Sequence, residues 1–304
     1  MHLQFRDINM LYVVTAVHNR KILTREFLTS LSLQSSNNFK VIIVDDASTD
    51  GTIEMVEQEF PEVILLKVDG DLWWAETMNV GVRFALQNGA SSILTLNDDV
   101  ILNSDYIEKM IYWAKQKPLA LLGSFAINIY DNSPLYGGQI WDWRGGEPVN
   151  LLKTIDKLNW HGLHQVNVSV GRGLLIPKEV FLSIGLFDSH NFPQTVADID
   201  FTFRATKSGY KIFCNYDAIL KSYPNESSGV QLRTNKSIKN YILHLFSKKG
   251  AGNLRYFTIM TFKNCPRKYI PQYLLIGWFR RLFGYLWEWI KNLLQWDSEE
   301  RQKQ

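Results

Sequence analysis

The chain has few cysteines, no long apolar run and little net charge. Its two cysteines, Cys214 and Cys265, are too few for a disulfide framework and lack metal-ligand spacing, so we expect a reducing, cytoplasmic location. No uninterrupted apolar run approaches the ~20 residues that a membrane-spanning helix needs. The apolar residues 11–17 are too few for the core of an export signal. A formal net charge of +3 across 304 residues does not favour a nucleic acid partner.

The first hundred residues alternate between two kinds of hydrophobic pattern. Short β-branched runs at residues 11–17, 39–44, 63–68 and 92–96 predict buried strands, and residues 75–87 predict a helix. Strands that alternate with helices form crossover units, which build a mostly parallel sheet with helices on both faces. We therefore predict an α/β, Rossmann-like fold for this part of the chain.

Two of the predicted strands run directly into paired acids. Asp45-Asp46 follows one strand, and Asn97-Asp98-Asp99 follows another. The carboxyl ends of parallel strands lie along one edge of a sheet, where ligands bind. Oxygen-rich sites of this kind suit Mg²⁺ or Mn²⁺ and the diphosphates that these ions bridge. The alternative is that each acidic group only forms a turn and caps the next helix.

The segment Val44-Asp-Asp-Ala-Ser-Thr-Asp-Gly-Thr52 resembles the signature of the family 2 glycosyltransferases, which have the GT-A fold. About fifty residues later that family carries a metal-binding Asp-x-Asp triplet, and Asn97-Asp98-Asp99 stands at this place. The resemblance implies that Asp99 binds Mn²⁺ or Mg²⁺. Asn97 departs from the pattern because it replaces the first acid of the triplet.

The resemblance also implies a set of residues that bind a UDP- or dTDP-linked sugar donor. Carboxylates accept hydrogen bonds from a pyrimidine N–H or a ribose hydroxyl, and aromatic faces offer apolar platforms for a sugar or base. For the adjacent tryptophans of this set, the alternative is that they anchor a loop in the core. The implied donor-binding residues are Thr15, Val17, Asn19, Asp45, Asp46, Trp73, Trp74, Asn79 and Asp98.

The second half of the predicted catalytic domain carries the implied acceptor site. Residues 131–164 show little periodicity, so we expect a long irregular loop there. By resemblance, Asp198 takes the place of the catalytic base at the start of a helix. Trp141, Trp143, Gly173 and Asp200 are assigned to the acceptor. The alternative for Asp200 is an ion pair with Arg204, four residues further on the same helix.

These assignments predict an inverting transfer of one sugar to a hydroxyl of a glycan or lipid-linked acceptor, in cell-surface polysaccharide synthesis. The chain lacks the Gln-x-x-Arg-Trp motif of the family's processive synthases, which favours the addition of one sugar per encounter. Within the family, the chain resembles the rhamnosyltransferase-like, single-addition type. It also lacks, in residues 220–228, the histidine that the family often supplies as a metal ligand. Two rivals remain: a catalytically silent binding module on the same fold, and a nucleotidyltransferase, for which residues 18–21 form a poor phosphate loop.

The carboxyl-terminal part differs in character from the rest. We predict a catalytic domain at 1–235, with a donor half at about 1–100 and an acceptor half at about 101–235, and a helical extension at 236–304. Residues 263–291 carry six Lys or Arg against one acid, Glu288. A wide apolar face with tryptophans and basic residues is typical of a helix in a membrane interface. Residues 263–296 therefore predict peripheral attachment to the inner face of the cell membrane. Docking on the catalytic domain or on another subunit of a homo-oligomer is the alternative.

Overall fold

The computed structural model describes residues 10–144, 147–224 and 232–302. The chain divides into two compact units. The first unit takes residues 1–141 and 148–224, and the second takes residues 142–147 and 225–304. The sequence-based boundary at residue 235 stays a prediction.

Strands and helices alternate through the first unit. Its first half contains β1 (Leu11–Val17), α1 (Lys21–Ser32), β2 (Phe39–Asp46), α2 (Thr52–Glu59), β3 (Ile64–Val68), α3 (Trp73–Gln87), β4 (Ser92–Thr95) and β5 (Val100–Leu102). The elements that follow are α4 (Tyr106–Gln116), β6 (Leu121–Asn128), β7 (Pro134–Tyr136), β8 (Gln139–Asp142), β9 (Glu147–Asn150), β10 (Leu163–Val166), β11 (Leu174–Pro177), α5 (Lys178–Ile184), α6 (Ala197–Lys207) and β12 (Ile212–Ser222). The alternation predicted for the first hundred residues is confirmed.

Most of these strands form one large mixed sheet. Its main order is β10-β12-β6-β11-β4-β1-β2-β3. The run β4-β1-β2-β3 is parallel, as is the pair β12-β6, whereas β11 is antiparallel to both of its neighbours. The predicted α/β class, a mostly parallel sheet flanked by helices, is confirmed. In the parallel run, the strand ends that carry Asp45-Asp46 and the Asn97-Asp98-Asp99 triplet lie at one edge.

Helix α3 packs unusually close to the centre of this sheet. Strand β1 is buried along nearly its whole length, as its β-branched sequence predicts. Gly81 permits the close approach of the helix, because a Cβ at this position would lie 2.5 Å from Val14 Cγ1 and 2.9 Å from Val44 Cγ2. The backbone of α3, which begins at Trp73, is thereby held against the two strands that lead into the acidic edge.

The prediction of a long irregular loop at residues 131–164 is wrong in part. This segment contains β7, β8, β9, β10 and two short 3₁₀ helices. Strand β7 adds to β6, and β10 adds to β12, while β8 and β9 form a separate two-stranded sheet. These strands have three or four residues each, too few to show a period of two. Strand β7 pairs with the preceding β6 and β8 with the following β9, whereas β10 depends on the distant β12. Strands this short form through such pairing rather than through local preference.

The second unit is helical. It contains α7 (Ile238–Phe246), α8 (Leu254–Asn264) and α9 (Ile270–Gln302). The inner stripe of α9 consists of Tyr273, Gly277, Arg281 and Tyr285, spaced four residues apart. Among the described residues, no helix is both long and apolar enough to cross a membrane.

We predict that Gly81→Ala destabilises the protein through overpacking. The added methyl group must displace Val14 or Val44, which costs roughly 1–3 kcal/mol in the free energy of unfolding. Gly284→Ala is the matched control, because a Cβ at this helical glycine meets nothing within 4 Å. The control should gain up to about 1 kcal/mol from helix propensity. Urea denaturation measures both, and equal effects of the two variants would contradict the packing argument.

Candidate active site

Hydrogen bonds tie together the loops that follow β1 and β2. Asp45 Oδ1 accepts a bond from the Ser48 backbone N–H at 2.7 Å, and Ser48 Oγ accepts one from the Asn19 N–H at 2.8 Å. Asn19 Oδ1 in turn accepts a bond from the Thr49 N–H at 2.7 Å. Asn19 has a φ of 52° and Ala47 one of 58°. Two of the donor-binding residues predicted from the sequence, Asn19 and Asp45, therefore lie in one connected loop structure.

Asp46 joins the same edge to the start of α3. Its carboxylate accepts hydrogen bonds from the backbone N–H groups of Leu72 at 3.3 Å and Trp73 at 3.2 Å. The backbone there is strained, since Trp73 has a φ of 63°, which is rare for a bulky side chain. Such strain persists only where surrounding contacts impose it, and it is common at ligand sites.

Arg20 forms ion pairs with the two acids of the Asn97-Asp98-Asp99 triplet. Its Nη1 lies 3.1 Å from Asp98 Oδ1, and its Nη2 lies 3.6 Å from Asp99 Oδ2. Both acids are buried, and Thr24 Oγ1 donates a further bond to Asp98 Oδ2 at 3.3 Å. Burial raises the pKa of Asp98 to about 7, and the adjacent Asp99 adds to this increase while Arg20 opposes it. Two adjacent buried carboxylates need a positive partner, which the loop after β1 supplies.

Trp74 connects the triplet to the predicted base. Its indole Nε1 donates to Asn97 Oδ1 at 3.3 Å, and its backbone N–H donates to Gln194 Oε1 at 3.1 Å. A Cβ at Gly171 would lie 2.9 Å from the Trp74 ring and 3.3 Å from Asp198 Cβ. The indole and the Asp198 side chain thus pack against the same glycine, although about a hundred residues separate Asn97 from Asp198.

Asp198 is partly buried at the start of α6. Its Oδ2 accepts a bond from the Gly171 N–H and its Oδ1 one from the Ile199 N–H, both at 2.8 Å. Burial raises the pKa of Asp198, and these two N–H groups and the charge of Arg172 oppose that increase. Val196, two residues earlier, has a φ of 74°, a conformation that β-branched residues rarely adopt. A carboxylate with a raised pKa, held in a defined position, has the properties of a general base.

Three buried oxygens at this edge lack a hydrogen-bond partner among the described residues. They are Thr15 Oγ1, Asp45 Oδ2 and Asp99 Oδ1, which stand on or just beyond β1, β2 and β4. Buried polar atoms are nearly always hydrogen-bonded in native proteins. The unpartnered oxygens in these three places make this edge a candidate ligand-binding surface.

The residues around Asp99 fit a metal ion that is bound together with a phosphate ligand. Within the described part of the chain, no three His, Cys, Asp or Glu side chains form a potential metal cluster. Magnesium-type sites, however, often use one or two carboxylates and complete the shell with water and substrate phosphates. Asp99 Oδ1 is a buried carboxylate oxygen with a vacant lone pair. The absence of the family histidine from residues 220–228 is known from the sequence only, because residues 225–231 lie outside the described part of the structure.

Three of the predicted ligand-binding residues occupy structural positions. Asn79 is buried and exchanges two hydrogen bonds with the Phe187 backbone, at 2.9 and 3.0 Å. Gly173 has a φ of 79°, and a Cβ there would lie 2.4 Å from Ser124 Oγ. Asp200 is fully buried and pairs with Arg204 at 2.9 Å, which is the alternative considered for it. The contacts of these residues hold elements of the fold together.

The two tryptophans assigned to the acceptor lie in different units. Trp141, in the first unit, is partly exposed, and its ring meets Phe203 edge-on at 5.3 Å. Trp143 lies in the second unit, where its ring is 4.9 Å from that of Tyr273. Trp141 therefore belongs to the same unit as Asp198, and Trp143 packs on helix α9.

Sequence reasoning missed Arg20 and Gln194. The sequence did indicate a role for Arg20, because a cation in the loop after the first strand can pair with acids at the end of the neighbouring strand. Gln194 had none, since its bond to the Trp74 backbone spans 120 positions. Val17, predicted to lie beside the donor, is buried and pairs in register with Asp45 across β1 and β2.

A mixed, mostly parallel α/β sheet that carries an acidic triplet at its carboxyl edge has the GT-A arrangement. The model of Glycosyl transferase family 2 matches residues 12–174. This match covers more than half of the chain, and the chain belongs to that family.

Two sequence relatives carry glycosyltransferase names. An uncharacterized glycosyltransferase of Haemophilus influenzae is 33% identical over 109 residues, which is 36% of each chain. The dTDP-rhamnosyl transferase RfbF of Shigella flexneri is 22% identical over 199 residues, covering 66% of this chain and 64% of the relative. The matches thus span less than two thirds of either relative's length.

Solved structures share the fold at low sequence identity. Staphylococcus aureus TarS 1-349 in complex with UDP matches with a TM-score of 0.56 at 14% identity, covering 90% of this chain and 72% of that one. GalNAc-T7 with UDP, GalNAc and Mn²⁺ matches with a TM-score of 0.60 at 12% identity, covering 91% and 57%. Similarity at this level establishes the fold.

We predict that Asn79→Ala lowers stability rather than removing a ligand contact. The substitution leaves the buried backbone N–H and carbonyl of Phe187 without their partner, at a cost of about 2–4 kcal/mol. Asn88→Ala, at the residue that caps the end of the same helix, removes one exposed side-chain bond to the Phe84 carbonyl and should cost less than about 1 kcal/mol. Chemical denaturation measures both. An unchanged free energy of unfolding in Asn79→Ala would contradict the structural role.

Proposed function

We propose that the chain is an inverting glycosyltransferase that moves one hexosyl unit from a nucleotide-sugar to an acceptor hydroxyl. The observation that carries this proposal is the contact chain from Asn97 through the Trp74 indole to Gly171 and Asp198. This contact chain supports a shared site for the candidate base and the acidic triplet in a chain of this family. Attack and departure at an anomeric carbon need these two groups at one site.

The donor nucleotide is assigned to the connected loops after β1 and β2. Asp45 Oδ2 and Thr15 Oγ1 are buried and unpartnered, so a base N–H or a ribose hydroxyl can complete their hydrogen bonds. Asp46 acts mainly by holding the start of α3 in place. The names of two relatives and neighbours mention dTDP-rhamnosyl transfer and UDP, which supports a pyrimidine nucleotide as the donor carrier.

Asp99, with Asp98 beside it, would hold a Mn²⁺ or Mg²⁺ ion. When bound, the ion offsets the negative charge of the departing diphosphate. The Arg20 guanidinium lies beside both acids. It can also donate a hydrogen bond to a phosphate oxygen. The mention of Mn²⁺ in the GalNAc-T7 structure supports this choice of cofactor.

Asp198 takes the proton of the attacking hydroxyl on its carboxylate. Its hydrogen bonds from Gly171 and Ile199 hold both oxygens in position, so the group is oriented before the acceptor binds. Direct attack inverts the anomeric centre, and no side chain forms a covalent intermediate. Trp74 shields this region with its indole and keeps Gly171 against the base.

The acceptor is assigned to a glycan or a lipid-linked saccharide. Trp141 is a partly exposed aromatic ring in the unit that contains Asp198, and such rings stack on the apolar faces of sugars. A role in cell-surface polysaccharide assembly at the inner face of the cell membrane follows from this acceptor class and from the basic, tryptophan-rich extension.

A catalytically silent binding module is the second candidate. The observation in its favour is Asn97, whose side-chain oxygen accepts a bond from Trp74 and which carries no charge for a metal. A nucleotidyltransferase is less consistent with the chain, because its phosphate loop would need a Gly-rich segment after β1, and residues 18–21 contain no glycine.

A panel of nucleotide-sugars, tested with and without Mn²⁺, decides between these functions. We expect thermal stabilisation by UDP- or dTDP-sugars, strengthened by Mn²⁺, and slow hydrolysis of the productive donor. Asp99→Asn should remove the Mn²⁺-dependent part of the stabilisation and keep the rest. Binding without turnover on any acceptor would favour the silent module, and no binding at all would refute both.

For Asp198→Asn we expect intact donor binding and a transfer rate lower by about 10²–10⁴-fold, the usual contribution of a general base. Because the base must be ionised and burial raises its pKa above 3.8, kcat/KM of the native enzyme should rise with pH through that raised pKa. Asp200→Asn, the control on the same helix, breaks the pair with Arg204 and should cost about 1.5–3 kcal/mol of stability. Native transfer rates in Asp198→Asn would exclude it as the base.

A further inference from the structure

The second unit presents apolar side chains on the outer side of α9. The inner stripe is occupied: a Cβ at Gly277 would lie 2.0 Å from Phe257 of α8, and the Arg281 guanidinium lies 3.7 Å from the same ring. Tyr285 meets Tyr241 of α7 at 5.3 Å. The helix is therefore docked on its own unit through this stripe, and its outer side is a separate surface.

Large hydrophobic residues on that outer side are exposed to solvent. Phe279 is 62% exposed, Phe283 52% and Trp287 60%. Leu275 and Ile290 are also exposed and extend the same side, because spacings of four and eleven residues place them on nearly the same helix face as Phe279. Helix α7 adds a second exposed apolar row, at Ile238, Ile242 and Phe246. The side chains from residue 292 onward, including Leu293, Leu294 and Trp296 of the predicted apolar face, lie outside the description.

Positive charge is concentrated on the same unit. Residues 232–291 contain twelve Lys and Arg and one acid, Glu288. This acid is already engaged, because Arg233 Nη2 lies 2.5 Å and Lys236 Nζ 2.9 Å from its carboxylate. The whole chain has a net charge of only +3, so the remainder is acidic and this segment is strongly basic.

We propose that the outer side of α9, together with the exposed row of α7, binds the surface of an anionic lipid bilayer. Apolar side chains enter the interfacial region, and cations such as Lys239 and Lys291 contact lipid phosphates. Trp287 has the amphipathic ring that favours this interface. A second copy of this chain fits less well, because a symmetric contact would oppose two strongly basic surfaces. The inference deepens the membrane location proposed above; it rests on the second unit alone and does not depend on the catalytic steps.

Co-sedimentation of the full-length protein with lipid vesicles tests the proposal, without any sugar donor. We expect binding to mixed phosphatidylcholine–phosphatidylglycerol vesicles that weakens at high ionic strength, and little binding to phosphatidylcholine alone. The double variant Phe279→Ser/Phe283→Ser should lower the partition coefficient at least about tenfold, because two apolar side chains no longer enter the bilayer. Lys239→Gln and Lys291→Gln should each lower it about fivefold.

The matched control is Leu158→Ser/Leu182→Ser, which removes two apolar side chains of the first unit that are 85% and 73% exposed. It should bind vesicles like the native chain. Circular dichroism checks that each variant stays folded. Three results would overturn the proposal: no binding of the native protein to anionic vesicles at low salt, equal losses in both double variants, or a lipid-independent dimer that Phe279→Ser/Phe283→Ser dissociates.

Discussion

The first unit depends on how it accommodates four carboxylates at one edge of its sheet. Asp45, Asp46, Asp98 and Asp99 are all buried there, and a buried charge is costly unless hydrogen bonds or an opposite charge compensate it. Backbone N–H groups serve the first pair, and Arg20 serves the second. The groups that compensate the two pairs come from different loops. The contacts that stabilise these acids therefore also bring together the surface on which a ligand would lie.

The compensation is incomplete in a specific way. One oxygen each of Thr15, Asp45 and Asp99 is buried without a partner among the described residues, although the neighbouring atoms are well bonded. Strained backbone at Trp73 and Val196 flanks the same region. Asp200 and Asn79, in contrast, are paired by neighbouring groups. The combination of unpartnered oxygens and strained backbone makes this edge the candidate place for a ligand.

The two units differ in the kind of surface that they expose. The first combines an acidic edge with aromatic side chains near a candidate base, as a transfer between two polar substrates requires. The second is basic, and it exposes phenylalanine and tryptophan on a helix whose other side is already packed. Apolar exposure of this size on a docked helix indicates a partner surface rather than a missing core contact.

The sequence alone determined the layers of the fold and the position of its acids. Short β-branched runs identify β1 to β4, and paired acids that follow two of these strands lie at one edge in a parallel arrangement. The sequence motifs also identified Asp198 as a candidate base, by resemblance. Only the tertiary structure decided the partnership of Arg20 with Asp98 and Asp99, the bridge from Trp74 to Asn97, the structural contacts of Asn79 and the pairing of β10 with β12. These depend on contacts between residues distant in sequence, and local patterns carry no information about such pairings.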